Sequence, residues 1–279
     1  LAFARAARRA PTVGGGAPAR TRRASGRGGF GLRLPFVSRE GALLVARDLR
    51  CMLRTPPQLL SVVLTPLIVI PAYLFTRTGP GGGSGLAILL LLTTLTGPNL
   101  MMFGWDGPGV RSLFLLPLGG RDVVLAKNLF YLGIVGAQAA LVVVVLALLR
   151  VPLGGGLFAA VVLGYAALAF VATTIGTYVS ILNPVRPPRR GFARRGPGGA
   201  PSLIGLLALG VAGGAVVVLV LFARHVAPAA LEDAAGALAA LGCLAVAVVV
   251  WWLGVQRGGE EFVRRREKLI DVLAKDEGS

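Results

Sequence analysis

The sequence predicts an all-α integral membrane protein with six transmembrane helices, and three observations support this. The 279 residues are 55% hydrophobic and only 15% charged, with a mean hydropathy of +0.76, whereas soluble domains carry about 25% charged residues. Six apolar stretches are each about long enough, as helices, to cross a hydrocarbon core roughly 30 Å thick. Lysine and arginine also concentrate in alternate connecting segments, as in chains that thread a bilayer.

The apolar runs set the predicted order of elements along the chain. Pro66 and Pro71 fall inside the first run and predict a kinked helix, because proline removes a backbone donor. We expect a disordered basic segment over 1–36, a six-helix domain over 37–255 and a charged tail over 256–279. The six spans are predicted near 59–75, 86–103, 129–149, 157–182, 203–223 and 234–253.

The distribution of cationic residues predicts the orientation of the chain. Of the 29 Lys and Arg residues, 26 lie before the first span, after the last span, or in the second and fourth connections. The other three connections hold one each: Arg77, Arg150 and Arg224. Because the cytoplasmic leaflet is anionic and cationic loops resist translocation, this predicts a multi-pass protein with both termini in the cytoplasm.

An amphipathic helix is predicted just before the first span. Ser38 is a suitable N-cap, and Pro56-Pro57 would stop the helix near Arg54. The pattern favours a helix lying flat in the membrane interface over one packed on a soluble domain. Its two predicted faces are a charged one, with Arg39, Glu40, Arg47, Arg50 and Arg54, and an apolar one, with Leu43, Ala46, Leu49 and Leu53.

The sequence lacks the usual signatures of an enzyme or an ion-driven carrier. None of its twelve acidic residues lies inside a predicted span, so no group is evident for coupling to an ion gradient. None of Lys127, Lys268 and Lys275 follows a glycine, so a phosphate-binding loop of the GxxxxGK[ST] type is absent. We therefore expect no catalytic site, no metal site and no bound cofactor in this chain.

The connection over 99–128, NLMMFGWDGPGVRSLFLLPLGGRDVVLAKN, is the most informative segment. A polar turn at 106–109 precedes an apolar run over 113–116, and a helix starting at Arg121-Asp122 would lead into the third span. An apolar patch held between two helix breakers suits either a small docking helix or an amphipathic turn resting on lipid.

This connection resembles the loop between the second and third helices of ABC-2 type transporter permeases. In that family the loop carries the coupling helix that contacts the ATP-binding subunit. Ala126 departs from the pattern, because a glycine is frequent there. The residues that match, with the intervening Arg111, are Asp106, Gly107, Arg111, Pro117, Arg121, Asp122, Lys127 and Asn128.

The resemblance covers about 38–279 and implies the permease subunit of an ATP-driven exporter in a bacterial cell membrane. ATP would be bound and hydrolysed by a separate subunit, and a second permease copy or half would complete the transporter. The chain begins at Leu1 rather than Met, which suits the C-terminal half of a longer permease.

Two other classes stay open: a lipid-modifying membrane enzyme and a non-transporting scaffold. The enzyme would need clustered carboxylates, and the only candidates in the predicted inside loops, Asp106 and Asp122, are sixteen residues apart. The five arginines of 183–201 favour contact with membrane lipids over nucleic acid, because only Phe192 could stack on a base. The charged helix predicted over 260–274 would either pack on the partner or lie solvated.

Overall fold

The computed structural model describes residues 37–54, 59–60, 102–148, 155–184, 199–228 and 231–274, and it contains helices but no strand within these ranges. The predicted segment 1–36 and nearly all of the predicted spans 59–75 and 86–103 lie outside them. The described elements are α1 (Arg39–Arg54), a 3-10 helix (Gly104–Gly109), α2 (Val110–Leu115), α3 (Gly120–Leu148), α4 (Gly155–Leu182), α5 (Gly199–Val226), α6 (Glu232–Arg264) and α7 (Arg266–Ala274).

Three of the described helices are long and apolar enough to cross a membrane, which indicates a membrane protein. They are Gly120–Val145 in α3, Phe158–Leu182 in α4 and Glu232–Arg264, which is α6. A 25-residue helix is roughly 38 Å long, more than the thickness of a hydrocarbon core. These helices coincide with the apolar runs predicted at 129–149, 157–182 and 234–253. Helix α5 matches the fifth and includes a shorter apolar stretch, Gly210–Val226.

Helix α6 lies at the centre of the described bundle and packs against α3, α4 and α5. Its buried stripe is rich in small residues, including Gly236, Ala240, Ala247 and Gly254. Small side chains allow helix backbones to approach closely, which is how helices associate when lipid removes the hydrophobic drive between them. A Cβ on Gly254 would stand 2.6 Å from the Thr174 methyl carbon, so this contact has no room for a larger residue.

Helix α1 begins and ends where the sequence predicts. The Gly41 N–H donates a hydrogen bond of 3.2 Å to Ser38 Oγ, which confirms Ser38 as the N-cap, and the helix ends at Arg54. The helix packs on α3, and its buried residues include Leu44 and Val45.

The structure gives α1 a buried face in addition to the two predicted ones. Leu43, Leu49 and Leu53, predicted on the apolar face, are 57%, 38% and 55% exposed, whereas Ala46 is buried. Arg47, predicted on the charged face, makes ion pairs with two buried carboxylates. The helix therefore has two apolar surfaces, one against α3 and one turned outward.

Removing the N-cap should measurably destabilise α1. We expect Ser38→Ala to lower the free energy of unfolding by about 1 kcal/mol, because the Gly41 N–H loses its acceptor. Ser38→Asp is the matched control, since aspartate caps helices equally well and should preserve stability. Thermal unfolding of the detergent-solubilised protein measures both, and equal melting temperatures for the two variants would contradict the cap assignment.

The end of the bundle where α3 begins and α6 ends, here called the loop end, also receives the C-terminal helix. After a break at Arg265, α7 packs against the 3-10 helix and α2, burying Leu269 and Leu273 completely. Lys268 Nζ donates to the carbonyl oxygen of Leu182 at the C-terminus of α4, at 3.1 Å. The tail helix thus packs on this chain's own connecting segment.

Candidate functional site

The segment 102–119 at the loop end contains the 3-10 helix, which is kinked at Gly107, and α2, which follows it directly. Gly107 has φ 50° and ψ −128°, a conformation that side chains with a Cβ strongly disfavour, so glycine is required there. Helix α2 then covers part of the predicted apolar run. As predicted, the next helix includes Arg121 and Asp122 and continues into the third predicted span, starting at Gly120.

The inner side of this segment is fixed by aromatic packing. Phe262 of α6 lies between two rings of the segment, with ring centroids 4.9 Å from Phe103 and 4.6 Å from Phe114. The guanidinium of Arg266 sits 5.4 Å from the Phe114 ring centroid, on the other side of the α6–α7 break. Phe103 and Phe262 are at most 1% exposed, so α2 is anchored to both C-terminal helices.

The outer side of the same segment is apolar and uncovered. Leu115 is 80% exposed and Leu116 is 40% exposed, and Arg111 and Pro117 beside them are also exposed. Trp105 of the 3-10 helix is 39% exposed. The segment therefore presents leucines outward from a well-packed base.

Four charged side chains meet behind this segment, and we call them the four-charge cluster: Arg47, Asp48, Asp106 and Lys127. Lys127 Nζ lies 2.7 Å from Oδ2 of both Asp48 and Asp106. Arg47 Nη2 lies 2.8 Å from Asp48 Oδ1 and 2.7 Å from Asp106 Oδ1. Each carboxylate is thus bridged by both cations, and the formal charges cancel.

Burial makes the four-charge cluster a mutually dependent unit. The side chains of Lys127, Asp106 and Asp48 are 4%, 7% and 9% exposed, and only Arg47 reaches solvent substantially, at 37%. Partial burial disfavours the charge of Arg47, but the facing carboxylates outweigh this and raise its pKa above the ordinary value. Arg47 therefore stays cationic at physiological pH and keeps its side of the cluster in place.

Asn128, the next residue of α3, lies at a second junction. Its Nδ2 donates to the Val124 carbonyl oxygen at 2.8 Å and to Thr177 Oγ1 at 2.9 Å. Trp251 Nε1 of α6 donates to Asn128 Oδ1 at 3.3 Å. One amide side chain therefore links α3, α4 and α6, and it is only 1% exposed.

The eight residues that the sequence singled out divide into two groups. The first group lies at the surface: Arg111, Pro117 and Arg121 are exposed and Asp122 is half-buried. The guanidinium of Arg121 lies 4.7 Å from the Trp252 ring centroid. Buried or conformational ones are Asp106, Gly107, Lys127 and Asn128, which contact or shape the protein itself. The structure brings Asp106 and Lys127 together.

Sequence reasoning missed Arg47 and Asp48 as members of the site. The companion carboxylate of Asp106 is Asp48, from a helix more than fifty residues earlier, rather than Asp122. One signal could have found it, because Asp48 continues the helical spacing of the buried Gly41, Leu44 and Val45. An acidic residue on the buried stripe of a helix requires a cationic partner.

Metal-ligating side chains do not gather within the described ranges: they contain no group of three or more His, Cys, Asp and Glu residues that could hold a metal ion. Cys51 is exposed and Cys243 is half-buried. The convergent polar groups at the loop end are the four-charge cluster and the hydrogen bonds of Asn128, both engaged within the protein.

Comparison with known proteins adds no family to this description. No family model matches the chain, and no curated protein and no solved structure matches it. The fold and the site define a helical membrane protein with a short, outward-facing helix held on a buried ionic and aromatic base.

Proposed function

We propose that this chain is the permease subunit of an ATP-driven exporter of the ABC-2 type. It would form the substrate path, while a separate subunit binds and hydrolyses ATP. The observation that carries the proposal is α2 with the residue that follows it: Leu115 and Leu116 are exposed outward, while Phe114 on the inner face stacks on Phe262. A helix held in this way can enter a partner's groove without being displaced from its own protein.

The chemistry of the exposed residues supports a protein partner. Leu115 and Leu116 offer apolar area for a groove, and Arg111 adds a positive charge beside them. An apolar helix face rimmed by charge is a recurring mode of helix-in-groove recognition. Exposed apolar residues that are grouped rather than scattered also mark interaction sites.

The proposal includes the topology predicted from the sequence. Spans at 59–75 and 86–103 would join α3, α4, α5 and α6 to give six, with both termini and the loop end in the cytoplasm. The outward leucines and arginines of α1 would lie against membrane lipids at that surface. A second permease copy or half would complete the path across the bacterial cell membrane.

Partner binding tests the proposal directly. We expect the double variant Leu115→Ser/Leu116→Ser to weaken binding of the proposed ATP-binding subunit about 30-fold, the effect of losing an interface hot spot of about 2 kcal/mol. Both residues are exposed, so the melting temperature should hardly change. Affinity in detergent, measured by biolayer interferometry on the immobilised permease, is the readout.

The matched control is Leu53→Ser, which removes a leucine that is 55% exposed on α1. Its affinity for the ATP-binding subunit should equal that of the unmodified chain. Unchanged binding by the double variant would refute the docking role of α2. ATP-dependent substrate movement into vesicles would then separate an exporter from a scaffold or a lipid-modifying enzyme, which would show none.

A further inference from the structure

We infer that Lys127 and Asn128 of α3 are positioning residues that connect the exposed α2 segment to the membrane-spanning helices. Their role in coupling rests on the proposed function. Consecutive residues of a helix project about 100° apart, so these two side chains reach different neighbours. Lys127 contacts α1 and the 3-10 helix, whereas Asn128 contacts α4 and α6.

The Lys127 side of this connection resists separation. Its ammonium group is shared at 2.7 Å between carboxylates from two segments distant in sequence. Moving the 3-10 helix away from α1 and α3 would separate Asp106 from both Lys127 and Arg47 and leave Lys127 with Asp48 alone, which is unfavourable for buried charges. The segment, α1 and the start of α3 therefore move together.

Through Asn128, a movement of α3 would reach the helices packed against it. Asn128 is hydrogen-bonded to Thr177 of α4 and Trp251 of α6, so a shift of α3 changes both contacts. A parallel link runs directly from the segment to α4, because the Phe103 N–H donates to Ser180 Oγ at 2.8 Å. The helices that the segment can move are therefore α3, α4 and α6.

A labelling experiment tests the Lys127 link without requiring transport. In a background with Cys51→Ser and Cys243→Ser, Ala42→Cys places a thiol on the buried side of α1, where Ala42 is 5% exposed. Adding Lys127→Met should raise the rate of maleimide labelling about 10-fold or more, because uncompensated carboxylates favour opening of α1.

Neutral variants distinguish ionic positioning from damage to the fold. The double variant Lys127→Met, Asp106→Asn leaves Arg47 paired with Asp48, a neutral pair, and should return labelling towards its original rate. Asp106→Asn alone keeps Lys127 paired with Asp48 and should give an intermediate rate. Asp233→Asn removes a charge from the more exposed Arg224–Asp233 pair and should leave the rate unchanged. Original labelling rates in both Lys127→Met and Asp106→Asn would overturn the inference.

A second readout tests coupling in vesicles reconstituted with the ATP-binding subunit. Asn128→Ala should lower substrate moved per ATP hydrolysed about tenfold, while affinity for that subunit stays unchanged. A merely structural role would lower binding and transport together. If the unmodified chain binds no ATP-binding subunit, the proposed function fails, while the labelling result still decides the Lys127 link. Normal coupling in Asn128→Ala would refute the role of Asn128.

Discussion

Replacing Phe262 with alanine should lower the free energy of unfolding by about 3–5 kcal/mol, the cost typical of removing a fully buried phenylalanine. Phe262 is 1% exposed and stacks on both Phe103 and Phe114. Its removal leaves a cavity between α6 and the segment that carries α2. Phe103 and Phe114 cannot both move in to fill this cavity, because each is held in its place by its own part of the segment.

Unfolding in mixed detergent micelles, followed by tryptophan fluorescence, measures this effect. Phe222→Ala is the matched control, because Phe222 is 64% exposed on α5 and its loss should change stability by less than about 0.5 kcal/mol. If the proposed function holds, Phe262→Ala should also weaken binding of the ATP-binding subunit, although Leu115 and Leu116 are intact. Equal stability of the two variants would show that the aromatic stack does not hold the segment.

The spanning helices could be predicted from the sequence because lipid acts on each helix separately. Apolar length alone sets whether a segment can cross the bilayer, so α3, α4 and α6 are evident without knowledge of their neighbours. The cap at Ser38 is equally local, since its hydrogen bond spans three residues. Apolar length and helix capping depend only on residues close together in the chain, so both can be read from the sequence.

The four-charge cluster could not be predicted in the same way. Asp106 was identified as a candidate, but its partners Arg47 and Lys127 come from helices on either side of it in sequence. Helical periodicity gives the face on which Asp48 lies, yet it does not say which element covers that face. Long-range pairing is a property of the packed bundle, and so is the buried face of α1.

The contacts of the C-terminal helix α7 likewise could not be predicted from its sequence pattern. Its sequence predicted a charged helix that would either pack on a partner or lie solvated. The spacing of Leu269 and Leu273 indicates one apolar stripe. What the stripe contacts depends on the break at Arg265, which turns α7 back under the segment that carries α2. A single irregular residue thus decides whether the helix binds its own chain.

Gly259→Ala should destabilise the protein by about 3 kcal/mol, at the upper end of the usual cost of overpacking. An added Cβ would stand 2.6 Å from the Arg121 Cα and backbone nitrogen, at the crossing of α3 and α6. A Cβ on Gly120 would likewise clash with the Gly259 carbonyl oxygen. Because the obstructing atoms are backbone, relief requires the two helices to move apart.

The control for this crossing is Gly242→Ala, in the same helix but with no atom within 4 Å of the added Cβ. Alanine favours helix by up to about 1 kcal/mol over glycine, so this variant should be stabilised. The propensity gain is common to both substitutions, and the difference between their melting temperatures therefore reports the contact at Gly259. A higher melting temperature in both variants would mean that the backbones of α3 and α6 are not in contact. A movement of α2 would then have to reach the bundle through other contacts.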